Sequence, residues 1–394
     1  MIYELIGQQT ITQRFQTLIN SRRIGSAYLF SGPEGAGKTS MALNLAARLL
    51  CEDPQNGIAC GSCRSCTKMK HLNHPNLHII HAMPRGKNPN DNDPYVGLSE
   101  ADFTAMQDER DALTRDPYRG INLPGANQIL ISSVRHIKKE LAMKPAESGR
   151  QVVLVFKAEM ANVQALNSLL KILEEPPART TFILTTSAID ILPSTIRSRC
   201  QIVKFNPVPD QQLVDYLVEQ GQDISNARRI ARLSGGNVQH AKALMEADFT
   251  EVDTMILDFW RIMMGGKIGG RWVTTADITE LIENYAGMAK SDPTGFRNIL
   301  RFMVFWLRDA QFLASVPETE TADNDQLINT HLITELMAFV NYYPGFPYFE
   351  MIRKIEDVLR DSKFNMYMPA LLADLFLELR TALLEKRKAP NATQ

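Results

Sequence analysis

The residues best suited to chemistry are Gly32-Pro33-Glu34-Gly35-Ala36-Gly37-Lys38-Thr39, which spell G-x-x-x-x-G-K-[ST] with every fixed position filled. A loop of this kind cradles phosphate. Its glycines let backbone N–H groups point at phosphate oxygens. The helix that follows adds unpaired N–H groups and partial positive charge. Lys38 reaches the outer phosphates and the Thr39 hydroxyl ligates Mg²⁺. A second cluster comes directly after. Cys51, Cys60, Cys63 and Cys66 are spaced C-x8-C-x2-C-x2-C. Four thiolates this close fit a tetrahedral zinc site with no open position, which is structural rather than catalytic. His71 and His74 lie nearby, but four ligands are already present, so both read as bystanders. The bland alternatives are a glycine-rich turn without a ligand and four unmetallated thiols.

The elements around these residues suit the chemistry. Ala27 to Phe30 is a short apolar run that reads as a buried strand entering the phosphate loop, and Ser40 to Leu50 continues from it with helical spacing. Upstream, Ile6-Gly7-Gln8-Gln9 precedes a helix-like run from Ile11 to Ile19, which could cover the base of a nucleotide but is better explained, residue by residue, by packing. Leu77 to Ile80 reads as a short strand after a turn. From Ala82 to about Gln128 the composition shifts, and the stretch from Pro84 to Pro94 has no apolar period. Ser99 and Asp102 resemble a capping box for a helix running to about Leu113, ended by Asp116-Pro117-Tyr118-Arg119-Gly120. This segment reads as an insertion on the surface of the first domain.

Gln151 to Phe156 is the best central parallel strand of the chain, apolar and β-branched. An amphipathic helix from Asn162 to Leu173 stops at Glu174-Glu175-Pro176-Pro177. Further strands follow at Thr180 to Thr185 and Gln201 to Phe205. Strands alternating with helices behind a phosphate loop predict a parallel α/β sheet. Beyond it, Asp210 to Glu219, Ile224 to Leu233 and Val238 to Met245 read as short helices, and from about Phe249 the chain is helical with almost no strand signal.

The chain has 394 residues, which predicts two or three domains. Its 44% hydrophobic and 22% charged content is that of a soluble globular protein. A net charge of −1 argues against a surface that is wholly a nucleic-acid platform. No apolar run reaches membrane-span length, and the first residues lack a signal peptide's pattern, so a cytoplasmic protein is expected. Cysteines in such a chain point to metal or free thiols rather than disulfides.

Taken together, Gly32 to Thr39, the four cysteines, Leu169-Leu170-Lys171-Ile172-Leu173-Glu174-Glu175-Pro176-Pro177 and Ser198-Arg199-Cys200 resemble the bacterial clamp-loader AAA+ subunits, the gamma/tau and delta-prime type of DNA polymerase III. By motif the resemblance covers roughly residues 1 to 245. It continues more loosely to Asn365 in Phe364-Asn365-Met366-Tyr367, which looks like the delta-prime ending. The resemblance implies an AAA+ domain over 1–206, with a zinc module at 51–66 and the insertion at about 82–128. A three-helix lid over 207–248, an all-α collar over 249–385 and a tail over 386–394 would follow. It implies zinc on Cys51, Cys60, Cys63 and Cys66. ATP or ADP, with Mg²⁺, would be held weakly by Gly32, Pro33, Glu34, Gly35, Ala36, Gly37, Lys38, Thr39 and Thr186. It also implies gamma/tau, delta, the sliding clamp and primer–template DNA as partners, and no membrane.

Departures from the motor pattern sharpen the expectation. An ATP-hydrolysing member needs an acidic pair after the strand that ends at Leu154-Val155. Here stand Phe156 and Lys157, with Glu159 two or three residues late. The position after Gly235-Gly236 where motors carry a phosphate-touching arginine looks like Gln239. Arg199 is kept, and in the family the arginine of S-R-C is the finger reaching a neighbouring subunit's ATP. The pattern is most like delta-prime, the subunit with no ATPase activity of its own. The alternatives are a gamma/tau-like motor rescued by Glu159 or an outside residue, and a zinc-bearing DNA-binding module on a phosphate-loop scaffold. Near-neutral charge and the absence of interleaved basic and aromatic residues around Cys60 to Cys66 speak against the last.

Overall fold

A computed structural model describes residues 2–87, 92–143, 149–246, 249–268, 270–316, 327–362 and 366–386. The chain divides into two compact units, Met1–Ala227 with Ser234–Leu244, and Arg228–Leu233 with Met245–Gln394.

The first unit is built on five strands, β1 (Ala27–Ser31), β2 (Leu77–Ile80), β3 (Gln151–Val155), β4 (Thr180–Thr186) and β5 (Gln201–Lys204), in the order β2-β3-β4-β1-β5. All pairs are parallel. β1 and β3 are buried along their whole length, as parallel strands covered on both faces must be. The alternation of side chains assigns the faces. Tyr28, Phe30, Val152 and Leu154 join Phe15 of α1 (Gln9–Asn20) and Met41 and Leu45 of α2 (Lys38–Leu50) in one core layer. Leu29, Val153, Val155 and Phe182 face Val134 and Ile137 of α5 (Ile131–Ala142) and Leu169 and Leu173 of α6 (Val163–Glu174) in the other.

Between these elements lie α3 (Arg64–Lys70), which carries the end of the cysteine cluster, and α4 (Glu100–Arg115) of the insertion. The Ser99–Asp102 capping box is formed, with Ser99 N–H donating to the Asp102 carboxylate at 2.8 Å. A short helix α7 (Ser194–Arg197) leads into β5, and α8 (Asp210–Glu219) and α10 (Val238–Leu244) complete the unit. α9 spans Ile224–Ser234.

The second unit holds α11 (Phe249–Met263), α12 (Thr275–Ser291), α13 (Pro293–Ser315), α14 (Ile333–Tyr342), α15 (Tyr348–Asp361) and α16 (Met368–Lys386). Its core is aromatic: Trp260 stacks on Trp306 at 4.7 Å, and Phe339 meets Trp306 edge-on at 4.7 Å. The region is mostly helical, as expected, with one small addition. β6 (Lys267–Ile268) and β7 (Arg271–Trp272) form an antiparallel hairpin. Strands of two residues are too short to register as alternation, and Gly270, at φ 84°, takes a backbone conformation that suits the reversal. Asn365 and the residues of the tail after Lys386 lie outside the described residues.

Candidate functional site

The phosphate loop leaves the C-terminal end of β1, the strand flanked by β4 and β5, which is where a doubly covered parallel sheet opens a crevice. Its own carbonyls are tied back. Lys38 Nζ donates to Gly32 O and Pro33 O, both at 2.7 Å. Val238 N–H donates to Gly35 O at 3.1 Å, and Gln8 Nε2 to Ala36 O at 3.2 Å. Gly35 sits at φ 71°, and a Cβ there would lie 1.8 Å from Asn237 Oδ1, so only glycine lets α10 seat on the loop. Gly37, at φ 88°, is the N-cap of α2.

A cleft of about 260 Å³ opens over the loop. Glu34, Gly35, Gly37, Lys38 and Thr39 line it, as do Thr185, Thr186 and Ser187 at the end of β4. Lys157 and Gln239 complete that side. The predicted cleft residues of the loop and Thr186 therefore come together, while Gly32, Pro33 and Ala36 serve as the loop's frame. Burial lowers the Lys38 pKa to about 8; Glu159 and Glu34 oppose the fall and Lys157 adds to it.

Directly after β3 stand Phe156 and Lys157, with Glu159 two positions further on. Phe156 is 5% exposed and belongs to the α2 core layer. Lys157 adopts φ 52°, and its N–H donates to Thr185 Oγ1 at 3.1 Å. Glu159 lies on a 3₁₀ turn and accepts from Ser187 N–H at 3.0 Å and Ser187 Oγ at 2.7 Å. Burial alone would raise its pKa, but these bonds and Thr186 hold it below the ordinary value.

Sequence reasoning missed one whole wall. The arm of the insertion from Pro117 to Gly120, with Asn122, lines the cleft, and Tyr118 is 6% exposed. The insertion is thus not confined to the surface. The only signal was an aromatic residue inside a turn-like string, which is no signal without the fold.

At the other end of α2, the four cysteine sulfurs lie within 4.8 Å of one another. The Sγ–Sγ separations of 3.6 Å (Cys51–Cys60), 3.9 Å (Cys51–Cys63) and 3.9 Å (Cys60–Cys66) match the edge of a ZnS₄ tetrahedron, about 3.8 Å for a Zn–S bond of about 2.3 Å. Backbone N–H groups of Cys60, Cys63 and Cys66 donate to sulfurs of Cys51, Cys60 and Cys63 at 3.3, 3.3 and 3.4 Å, an arrangement that favours thiolates. N–H groups of Ser62 and Cys63 lower the Cys60 pKa to about 6. The donor set fits zinc. His74 stays outside it: its Nε2 meets Ser65 Oγ at 3.2 Å, and Ser65 in turn bonds Glu52.

Arg199 stands apart from the cleft. β5 runs parallel to β1 with Gln201 opposite Tyr28 and Lys204 opposite Ser31. Arg199 therefore precedes the sheet where its strands begin, and the phosphate loop follows where they end. The guanidinium pairs with Glu174 at 2.7 Å and donates to Thr195 O at 3.0 Å. This joins the S-R-C string to the L-E-E-P-P string, a link the sequence did not reveal.

The comparisons with known proteins agree with this architecture. The family described as DNA polymerase III, delta subunit matches residues 7–209, more than half of the chain, and the chain belongs to that family. It is 26% identical over 256 residues to DNA polymerase III subunit delta' of Bacillus subtilis (strain 168), covering 65% of each. It is 30% identical over 238 residues to subunit delta' of Escherichia coli (strain K12), covering 59% of each. It is also 23% identical over 333 residues to subunit tau of Bacillus subtilis, covering 80% of this chain and 51% of that one. The chain thus spans less than two thirds of the length of these relatives. Among the described residues no helix is long and apolar enough to cross a membrane.

Proposed function

We propose that this chain is a delta-prime-type subunit of a DNA polymerase III clamp loader, which helps place the sliding clamp on primed DNA without hydrolysing ATP itself. The observation that carries this reading is the separation of Arg199 from its own phosphate loop: it precedes β5 where the strands begin, and the loop follows β1 where they end. An arginine fork there suits phosphate oxygens on a neighbouring subunit, where it would stabilise charge on the transferring phosphoryl group. At home the carboxylates that orient metal and water are missing: Phe156 is core, Lys157 is cationic, and Glu159 is engaged by Ser187. Gln239 stands where a second phosphate-touching arginine would be needed.

In this reading Cys51, Cys60, Cys63 and Cys66 hold a structural zinc ion. ATP or ADP, with Mg²⁺, binds weakly at Gly32 to Thr39 and Thr186. The sheet domain over 1–206 and the lid over 207–248 present Arg199, and the helices over 249–385 join an oligomeric collar. The partners are gamma/tau and delta subunits, the sliding clamp and primer–template DNA, in the cytoplasm.

A second reading, a gamma/tau-type motor, draws support from the tau relative, which aligns with 80% of this chain. Reconstitution with partner subunits separates the two. Arg199→Ala should cut DNA-stimulated ATPase and clamp loading by at least about tenfold while assembly is kept. Lys38→Ala in the same complex should cost far less. If Lys38→Ala abolishes activity and Arg199→Ala spares it, the chain is a motor.

A further inference from the structure

The wall contributed by the insertion holds more than space. The Tyr118 hydroxyl accepts the Ile6 N–H at 2.7 Å and reaches the Ile6 carbonyl at 3.4 Å. Its ring packs on the cap of α2: a Cβ on Gly37 would lie 3.3 Å from Tyr118 Oη and 3.5 Å from Cε1. Burial raises the phenol's pKa, so the group stays a donor.

The segment is also latched. Lys242 on α10 hydrogen-bonds Glu4 and, at 3.0 Å, Asp116, and its ammonium lies 5.3 Å from the Tyr118 ring. The N-terminal segment, the insertion and α10 thus close around one aromatic ring beside the phosphate loop.

A backbone N–H next to its own C=O is the complement of an adenine edge, which offers a ring-nitrogen acceptor beside an amino donor. Tyr118 satisfies both groups of Ile6 with one hydroxyl and fills the adjacent space with a flat ring. We propose that Tyr118 is an internal occupant of the cleft beside the phosphate loop, and that an adenine nucleotide binds fully only by displacing it. The inference rests on the reading of this cleft as a nucleotide site and supplies a cause for its weak occupancy. A cleft competent only when the ring is out has its affinity lowered by the fraction of molecules in that state.

The test is a titration of the full chain with mant-ADP, with and without Mg²⁺. Tyr118→Ala should bind about tenfold tighter than wild type. Tyr118→Phe keeps the ring but loses both bonds to Ile6, and should tighten binding about threefold. Adding Lys38→Ala must remove the gain. Unchanged or weaker binding in the Tyr118 variants overturns the proposal, because the ring is then a wall or a stacking surface. A gain that survives Lys38→Ala overturns it too, by putting the nucleotide elsewhere. If melting curves show Tyr118→Ala unfolded, Tyr118→Phe decides alone. Phosphate release in the same samples tests the other reading separately: turnover of ATP would refute the non-hydrolysing assignment without touching the role of Tyr118.

Discussion

Helix α2 carries a ligand set at each end, and the two sets differ in whether their donors face a ligand or the chain. At its C-terminus Cys51 begins a cluster of four sulfurs at tetrahedral spacing, with backbone N–H groups already aimed at three of them. At its N-terminus the phosphate loop is equally regular, but its lysine is spent on Gly32 O and Pro33 O, and the Tyr118 ring packs beside the loop on Gly37. A complete motif therefore does not by itself make a complete site. The cysteines depend only on each other, whereas the phosphate-loop cleft draws residues from β4, from the turn after β3 and from α10, where Lys157 and Gln239 line it and Glu159 is engaged by Ser187.

The largest effect should come at the cysteine end. Metal binding energy is folding energy in a closed site. Protein purified without chelator should carry one zinc ion per chain by metal analysis. Cys60→Ser should lose it and lower the melting temperature of the sheet unit by on the order of 10 °C. Four readily alkylated thiols in the native chain would break the comparison, since neither end of α2 would then be complete.

Two glycines give a finer contrast. Gly35 and Gly61 share a positive φ, 71° and 76°, but a Cβ on Gly35 meets Asn237 while one on Gly61 meets nothing within 4 Å. Gly61→Ala should cost about 1 kcal/mol, the strain of a left-handed alanine. Gly35→Ala adds overpacking against α10 and should cost about 3 kcal/mol by urea unfolding. Equal costs would mean that α10 is not seated on the loop as described.

Much of this was legible in the sequence, because it rests on local rules. The β-branched run of β3, the helical spacing of α2, the Ser99–Asp102 box and the C-x2-C pairs each announce themselves within a few residues. What could not be read depends on pairs far apart in the chain. Tyr118 meets Ile6 across 112 positions, Arg199 meets Glu174 only because α6 and α7 pack together, and Asn237 meets Gly35 through the seating of α10. No periodicity encodes such meetings. The β6–β7 hairpin was missed for the opposite reason, being too local to show a period at all.

The smallest expected effect concerns Lys38 and runs counter to the usual direction for a lysine. Burial brings its folded pKa down to about 8 from the ordinary 10.5. Below about pH 8 the residue is protonated in both states, and the penalty of burying its charge stands in full. Between about 8 and 10.5 the unfolded chain holds the proton that the folded chain has released, so stability rises with pH across this window. Above it both forms are neutral and the penalty is gone. Lys38→Met carries no charge at any pH, so its melting temperature should exceed that of wild type near pH 7.5 and the gap should narrow by pH 9.5. A constant gap would mean that the two loop carbonyls and Glu159 hold Lys38 charged throughout. The phosphate-loop end of α2 would then be prepared for its ligand as fully as the cysteine end.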